Sequence, residues 1–336
     1  MGLSGQREQF FFGHGKVLLT SEYFVLDGAE ALALPTTLGQ TLTIRYKNSF
    51  TPKLTWKSYD SDGKIWFDAS FELWRFKCLN PEKTAEMDVL QKILNVAREL
   101  NPHFLREEVE IIVETKLDFP NPWGLGSSSS LIYNIAQWAY VSPFELASRT
   151  FGGSGYDIAC AGSMGPIVYQ KKKSGPSWKQ VNFAPHFYNQ LYFIYLGKKV
   201  ATKNAIEYYQ GLKLENKSRT INELSHLTEE ILNVVELKEF ESLILTHENI
   251  ISRALNLNRI QDEYFSDYDG VIKSLGAWGG DFALATSHHS QEETKAYFES
   301  KGLDTVLGFD ELICRNYQSM GELKIEEASA HETLSQ

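Results

Sequence analysis

The sequence predicts an α+β protein of two domains, and three observations support this prediction. A chain of 336 residues is long for a single hydrophobic core. Strand-like and helix-like patterns follow one another without a regular strand–helix–strand alternation. The composition, with 43% hydrophobic and 23% charged residues, is that of an ordinary globular protein. The pattern changes near residue 185, so we expect an N-terminal domain over 1–185 and a C-terminal domain over 186–336.

The N-terminal domain is expected to contain strands and helices in an irregular order. Leu42, Ile44 and Tyr46 alternate toward one face, as in a half-buried strand. Ser142 followed by Pro143, with a glutamate three residues after the serine, is a typical helix start. From such patterns we expect strands at 16–20, 41–46, 109–115 and 166–170, further strands or a hairpin within 51–80, a hairpin tip at 171–177, and helices at 84–100, from 131 and from 142.

The C-terminal domain begins with an apolar run that predicts a strand, and long amphipathic patterns follow it. The elements expected there are strands at 191–196, 281–286 and 305–308 and helices at 217–235, 238–256, 264–275 and 291–302. The two long helices over 217–256 offer an interface as readily as a core, so a homodimer stays open.

Charge and cysteine content narrow the classes of partner. A net charge of −10 argues against a broad surface for nucleic acid or anionic membrane. Cys78, Cys160 and Cys314 are far apart and odd in number, which predicts neither a disulfide framework nor a metal site. The first residues lack the apolar core of a signal peptide, and no long apolar run follows. We therefore expect a cytoplasmic protein that binds neither nucleic acid nor a membrane.

The stretch 122–130 (PWGLGSSSS) places two glycines and four serines just before an apolar helical run. Backbone N–H groups at such a helix start are free to bind an anion, where the helix dipole is positive. Capping of the helix by a serine is the alternative, but capping needs only one serine. The sequence therefore predicts a phosphate cradle made of Gly124, Leu125, Gly126, Ser127, Ser128 and Ser129.

A second glycine-rich stretch, 152–157 (GGSGYD), sets a single carboxylate in a tight turn that another molecule can approach closely. Alone, Asp157 would be explained by a turn in which the carboxylate bonds its own backbone. Beside a phosphate cradle, the isolated acid indicates phosphoryl transfer to a small acceptor.

Two further stretches, 13–27 (GHGKVLLTSEYFVLD) and 274–284 (SLGAWGGDFAL), complete a set of motifs that resembles the GHMP kinases, in the order found in that family. This family phosphorylates galactose, homoserine, mevalonate and phosphomevalonate. The run Gly-Tyr-Asp-Ile-Ala at 155–159 resembles its mevalonate-type branch. The resemblance implies an N-terminal domain like ribosomal protein S5 domain 2 and a C-terminal ferredoxin-like α/β sandwich.

The resemblance also implies the catalytic groups and cofactors. Asp157 would be the catalytic base, and Lys16 would be its charge partner. A lysine within roughly 4–6 Å would keep the carboxylate ionised and help to neutralise the transferred group. The cofactors would be ATP and Mg²⁺, with Ser128 as the serine that contacts the metal.

The substrate side is implied in less detail. Glu22 stands in the place of the family's Gly-Glu-His, and a structural role, a substrate contact and a plain surface acid all stay open. Thr202 and Lys199 are candidates to meet an anionic group of the substrate. The expected substrate-binding residues are Glu22, Gly155, Tyr156, Thr202, Gly276 and Gly279.

The chain departs from the family pattern at several positions. Trp278 and Asp281 stand where relatives carry small residues, and Glu145 is the only acid between Ser130 and Asp157. Relatives carry a Mg²⁺-binding glutamate in this interval, and the capping position of Glu145 already explains that acid. We therefore expect Mg²⁺ to be held mainly by ATP oxygens, Ser128 and waters, and a carboxylate ligand stays open. The sequence favours a kinase with a mevalonate-like hydroxyl or phosphate acceptor. A diphosphomevalonate decarboxylase and a non-catalytic ligand-binding homologue stay open as alternatives.

Overall fold

A computed structural model describes residues 7–107, 109–197, 202–278 and 280–314, without the side chains of 202 and 203. The chain forms two compact units. Unit 1 comprises the described residues of Met1–Lys16 and Leu38–Gly162, and unit 2 those of Val17–Thr37 and Ser163–Gln336. The boundary near residue 185 between the two expected domains stays a prediction.

Within the described residues the structure contains eleven strands and ten α-helices. The strands are β1 (Arg7–Leu18), β2 (Ala31–Lys47), β3 (Lys53–Tyr59), β4 (Ile65–Glu72), β5 (Glu110–Leu117), β6 (Ile167–Lys172), β7 (Gly175–Gln180), β8 (Leu191–Tyr195), β9 (Ile272–Ser274), β10 (Phe282–Thr286) and β11 (Val306–Gly308). The helices are α1 (Ala85–Leu100), α2 (Ser127–Ala139), α3 (Pro143–Thr150), α4 (Tyr156–Ala161), α5 (Thr202–Gly211), α6 (Lys217–Asn233), α7 (Leu237–Leu255), α8 (Ile260–Tyr264), α9 (Gln291–Ser300) and α10 (Phe309–Leu312).

Unit 1 packs helices on one face of a mixed sheet. β5 pairs in parallel with β3 and antiparallel with the second half of β2, and β4 pairs antiparallel with β3. Trp56 and Val113 are register partners, and both are buried with Ile93 of α1 and Ile135 of α2. This burial fixes α2 along its apolar face, and therefore also fixes the position of its serine-rich start.

Unit 2 contains an antiparallel sheet in the order β11-β8-β10-β9. Tyr192, Phe265 and Phe298 belong to the core beside it. In the same unit, the first residues of β2 pair with β6, which forms a hairpin with β7. Helices α6 and α7 pack against each other, and Leu224 and Ile251 share a second core with residues of the segment after β1.

Most predicted elements are confirmed. Thr84 caps α1 by accepting the Met87 N–H, the tip at 171–177 is the β6–β7 turn, and the two long helices lie within two residues of their expected ends. The helix predicted over 264–275 is wrong, because α8 ends at Tyr264 and Ile272–Ser274 is strand β9. β9 pairs with β10 through its backbone, and this pairing determines the structure of the segment. A helical pattern in the sequence contains no information about such a pairing. None of the described helices has the length and apolar character needed to cross a bilayer.

Candidate functional site

The turn before α2 exposes backbone N–H groups. Gly124 (φ 69°) and Gly126 (φ 98°) adopt the left-handed conformation, and Gly126 is the N-cap of α2. No side chain caps this helix, so the alternative in which a serine only caps it is wrong. In the part of the chain that the structure describes, the N–H groups of Ser127, Ser128 and Ser129 have no acceptor. A helix start with free N–H groups attracts an anion.

The four serines of α2 differ in what their hydroxyls do. The hydroxyls of Ser127, Ser129 and Ser130 donate to oxygens of neighbouring residues at 3.3, 2.8 and 3.1 Å. Ser128 is exposed, and its hydroxyl makes no hydrogen bond to the residues described. Of the four serines, Ser128 therefore has the hydroxyl that is available to a ligand.

Lys16, near the end of β1, lies against this turn. Its backbone N–H donates to the carbonyl of Leu125 at 2.8 Å, and its Nζ donates to the carbonyl of Gly124 at 2.8 Å. A Cβ atom on Gly126 would lie 2.8 Å from the Ser129 hydroxyl and 3.1 Å from Cγ of Lys16. Position 126 therefore requires glycine for its φ and for space, and the turn carries an ammonium group beside its free N–H groups.

Asp157 lies in the first turn of the short helix α4, directly after the glycine turn. Gly155 (φ 93°) is the N-cap of α4, and Oδ1 of Asp157 accepts the N–H of Ile158 at 3.0 Å. The local bond expected from a turn aspartate is therefore present, and it uses only one carboxylate oxygen. The side chain is half-buried, and burial raises its pKa above the ordinary aspartate value.

The charge of Lys16 acts on Asp157 in the predicted direction. It lowers the pKa of Asp157, but burial has the larger effect, so the net direction is upward. The two side chains form no salt bridge in the described structure, and Nζ of Lys16 donates to the carbonyl of Gly124. Unit 1 thus contains a turn with free N–H groups, the ammonium of Lys16 and the carboxyl group of Asp157, whose pKa is raised.

The donors of the cradle fit the phosphate groups of ATP. Backbone N–H groups and an ammonium are the groups that phosphate oxygens accept from, and Gly126 keeps the turn free of a side chain. The described residues contain no group of three His, Cys, Asp or Glu side chains that could hold a metal ion. Since Mg²⁺ usually keeps waters and phosphate oxygens as ligands, a phosphate-bound ion that touches Ser128 fits this donor set.

Glu22 is located in the interior of unit 2. Its side chain is fully buried and pairs with Nζ of Lys273, with Oε1 2.5 Å from that nitrogen. Burial raises the pKa of Glu22 to about 7. The alternative of a plain surface acid is therefore wrong, and burial supports the structural role that the sequence left open.

The other predicted substrate-side residues are placed as follows. Tyr156 is the first residue of α4, and Gly276 (φ 62°) lies in the turn after β9, where Trp278 and Asp281 also have positive φ. Thr202 begins α5, and its side chain lies outside the described atoms. Lys199 and Gly279 lie outside the described residues.

No family model and no curated protein sequence matches the chain. Solved structures match most of it. The Lin0012 protein from Listeria innocua is 16% identical with a TM-score of 0.68, covering 90% of this chain and 97% of that one. L. major mevalonate kinase in complex with R-mevalonate is 15% identical with a TM-score of 0.65, covering 94% and 99%. Streptococcus pneumoniae phosphomevalonate kinase in complex with phosphomevalonate and AMPPNP is 16% identical with a TM-score of 0.65, covering 89% and 99%. Staphylococcus aureus mevalonate diphosphate decarboxylase and Lactococcus lactis galactokinase match as well.

The chain has the two-domain GHMP kinase fold. This confirms the α+β architecture that the motifs predicted. The identities of 15–16% make the likeness one of fold, so the roles of individual residues depend on the geometry of this chain.

Sequence reasoning missed one group of residues within this GHMP fold. His247, Glu248 and Lys273 are buried together with Glu22, although none belongs to a glycine-rich motif. One signal was present, since Lys273 follows Val271 and Ile272 in a short apolar run and is the kind of residue that is rarely buried without a partner.

Proposed function

We propose that this protein is an ATP-dependent kinase that transfers the γ-phosphoryl group to a hydroxyl or phosphate of a mevalonate-like acceptor. One observation carries the proposal. Lys16 bonds the turn whose N–H groups are free, and its charge also reaches Asp157. A phosphate donor and a proton acceptor would therefore share one cation, as phosphoryl transfer requires.

Each group of residues in unit 1 would have its own role in phosphoryl transfer. The N–H groups of Ser127, Ser128 and Ser129 would bind phosphate oxygens, and the Ser128 hydroxyl would contact Mg²⁺. ATP with Mg²⁺ supplies the phosphoryl group and offsets part of its charge. Asp157 would accept the proton of the acceptor hydroxyl through the carboxylate oxygen that does not bond Ile158.

The acceptor class rests on likeness to enzymes whose structures were solved with their ligands. One matched kinase was solved with R-mevalonate, and another with phosphomevalonate and AMPPNP. A base of raised pKa suits an alcohol acceptor, since it holds a proton more readily than an ordinary aspartate. Use of ATP and three free cysteines are also consistent with the cytoplasm, which we propose as the location.

Steady-state assays with ATP and Mg²⁺ test the function directly. We would measure ADP and CO₂ with R-mevalonate, phosphomevalonate, diphosphomevalonate, galactose and homoserine as separate acceptors. Asp157→Asn should lower turnover by roughly 10²–10⁴. Asparagine can still accept the Ile158 N–H through its amide oxygen, so the turn is preserved.

Glu145→Gln is the matched control. Its backbone N–H bonds the Ser142 hydroxyl at the start of α3, which already explains its position, so turnover should stay within about twofold. Acceptor-dependent ADP without CO₂ supports the kinase. ADP together with CO₂ from diphosphomevalonate would identify a decarboxylase instead, and ATP binding without turnover of any acceptor would contradict the proposal.

A further inference from the structure

A buried group of four titratable side chains lies in unit 2 and takes no part in the chemistry proposed above. This ionic cluster consists of Glu22, His247, Glu248 and Lys273, and each side chain is at most 1% exposed. We propose that the ionic cluster is a positioning device, in which Lys273 fixes the turn at 21–23 to the turn at 275–278. Its catalytic consequence rests on the proposed function, because these turns lie in the motif stretches 13–27 and 274–284.

Lys273 makes the contacts that join the cluster. Its ammonium donates to Oε1 of Glu22 at 2.5 Å, to Oε1 of Glu248 at 3.3 Å and to the carbonyl of Ser274 at 2.9 Å. All three of its N–H groups are therefore used. One bond is made to the turn at 21–23, one to helix α7, and one to the end of β9.

Helix α7 holds the two turns from the other side. Nε2 of His247 accepts the N–H of Ser21 at 2.8 Å, and Oε2 of Glu248 accepts the N–H of Ser274 at 3.1 Å. Since His247 and Glu248 are neighbours in one helix, the backbone of the first turn and the end of β9 are bonded to the same rigid element.

A direct contact between the turns completes the link. The hydroxyl of Tyr23 donates to the carbonyl of Ala277 at 2.8 Å, and Tyr23 packs in the same apolar group as Trp278. Ser21 (φ 62°), Tyr23 (φ 63°) and Trp278 (φ 49°) all have positive φ. Non-glycine residues keep such conformations only where surrounding contacts impose them, and here the cluster supplies those contacts.

The cluster is not what stability alone would favour. Two carboxyl groups share one ammonium, while Oε2 of Glu22 and Nδ1 of His247 have no hydrogen-bond partner among the residues described. Replacing buried ion pairs by apolar side chains is often neutral or stabilising. A positional role explains why so many buried polar groups meet at this point.

The charges also make the device sensitive to pH. Glu22 faces Lys273, Glu248 and His247, and Glu248 also feels the charge of Arg259. Burial raises the pKa of both carboxyl groups, whereas burial and the charge of Lys273 lower the pKa of His247. With Glu22 protonated, one carboxylate faces the single ammonium of Lys273, whereas ionisation of Glu22 at higher pH places two buried carboxylates beside that one ammonium.

Hydrogen–deuterium exchange of the full-length protein tests the link without any assay of activity. Glu22→Ala leaves Lys273 paired with Glu248, so the charge stays balanced and the variant should fold. Exchange in peptides spanning 19–30 and 272–278 should rise about tenfold or more, as expected for a local opening. Exchange at 124–130 in unit 1 should stay unchanged.

Lys273→Met should loosen the same peptides more strongly, and Glu22→Ala decides the matter if Lys273→Met does not fold. Thr294→Val is the control, because it removes a buried hydrogen bond with Ser287 elsewhere in unit 2. If 19–30 and 272–278 exchange as in the wild type in Glu22→Ala, or loosen equally in Thr294→Val, the positioning role is refuted.

Kinetics separate positioning from mere stability. With whichever of R-mevalonate or phosphomevalonate the wild type phosphorylates, Glu22→Ala should raise the acceptor KM about tenfold or more, while the ATP KM stays within about twofold. A lower kcat with an unchanged acceptor KM would overturn the proposal. If the wild type phosphorylates neither acceptor, the proposed function fails for that class, and the exchange experiment still decides whether the cluster holds the turns.

A pH series adds a readout that a passive core would not show. Between pH 6 and 8, after correction for intrinsic exchange, the wild-type turns should loosen as pH rises. Glu22→Gln cannot titrate at this position, so its turns should show no such dependence. Parallel behaviour of the two proteins would contradict a role of Glu22 ionisation in loosening the turns.

Discussion

Burial and the charge of Lys16 have opposing effects on the pKa of Asp157. Burial raises the pKa of the Asp157 carboxyl, and the Lys16 ammonium lowers it. The same burial, together with the charge of Asp157, raises the pKa of the Cys160 thiol, so this cysteine stays protonated and is a packing residue. The lysine therefore opposes the effect of burial and makes the proposed base easier to ionise at a given pH.

Lys16→Met should raise the pKa of Asp157 further, because burial then acts without the opposing charge. As a result, the acid limb of the pH–activity profile should move to higher pH, and kcat/KM at neutral pH should fall by about 10²-fold or more. Carbon-13 NMR of labelled aspartate carboxyls, with Asp157→Asn for assignment, measures the titration directly.

Lys64→Met is the control for this experiment, since it also removes one lysine charge from unit 1. Lys64 is exposed and lies 2.7 Å from Asp62, so the Asp157 titration should not move. An Asp157 titration that is unchanged in Lys16→Met would show that the two groups are not coupled.

At the scale of elements, the turn before α2 depends on one glycine. Gly126 combines a φ of +98° with crowding by Ser129 and Lys16, whereas Gly63 has a φ of +80° and open space around it. The two glycines share the backbone requirement and differ in surroundings. Comparing them separates the conformational cost of a side chain from damage to the cradle.

Gly126→Ala should cost more stability than Gly63→Ala, which should lose about 1–2 kcal/mol for placing alanine in the left-handed region. Because the new methyl group would displace Ser129 or Lys16, Gly126→Ala should also weaken binding of an ATP analogue about tenfold or more. Calorimetric titration with AMPPNP and denaturant unfolding give the two quantities. Equal nucleotide affinity in the two variants would argue against the cradle.

The elements that sequence predicted well are those fixed by local pattern. Ser142 caps α3 as expected, and the glycines of the two motifs have the positive φ that their turns require. The segment 264–275 has a helical sequence pattern, but its residues Ile272–Ser274 pair with β10. This pairing is a contact between separate stretches of chain. Local periodicity carries no information about such a partner.

At the scale of the whole chain, the burial of Glu22 is a second feature that local sequence patterns do not predict. Its motif left a structural role, a substrate contact and a surface acid open, because the ammonium that pairs with Glu22 is 251 residues away in the sequence. The free N–H groups of the turn before α2 could be predicted because they belong to successive residues of one turn. The ionic cluster could not, since it exists only once α7 and β9 are folded around Glu22.

The ionic cluster also predicts how stability depends on pH. The folded-state pKa of Glu22 is about 7, against an ordinary value of 4.5, so between these values the folded chain binds more protons than the unfolded chain. The stability that Glu22 contributes is fully present below pH 4.5 and is lost as pH rises through 7. The amount at stake is on the order of 1–3 kcal/mol.

Urea unfolding of the wild type and of Glu22→Gln at pH 5, 6, 7 and 8 measures this contribution. His247 is buried in a neutral form and titrates on unfolding in both proteins, so its effect cancels in the difference between them. The free energy of unfolding of the wild type, relative to Glu22→Gln, should fall from pH 5 to pH 7 and level off toward pH 8. A constant difference would mean that the carboxyl group of Glu22 does not hold its proton in the folded protein, and that the buried charges are balanced in another way.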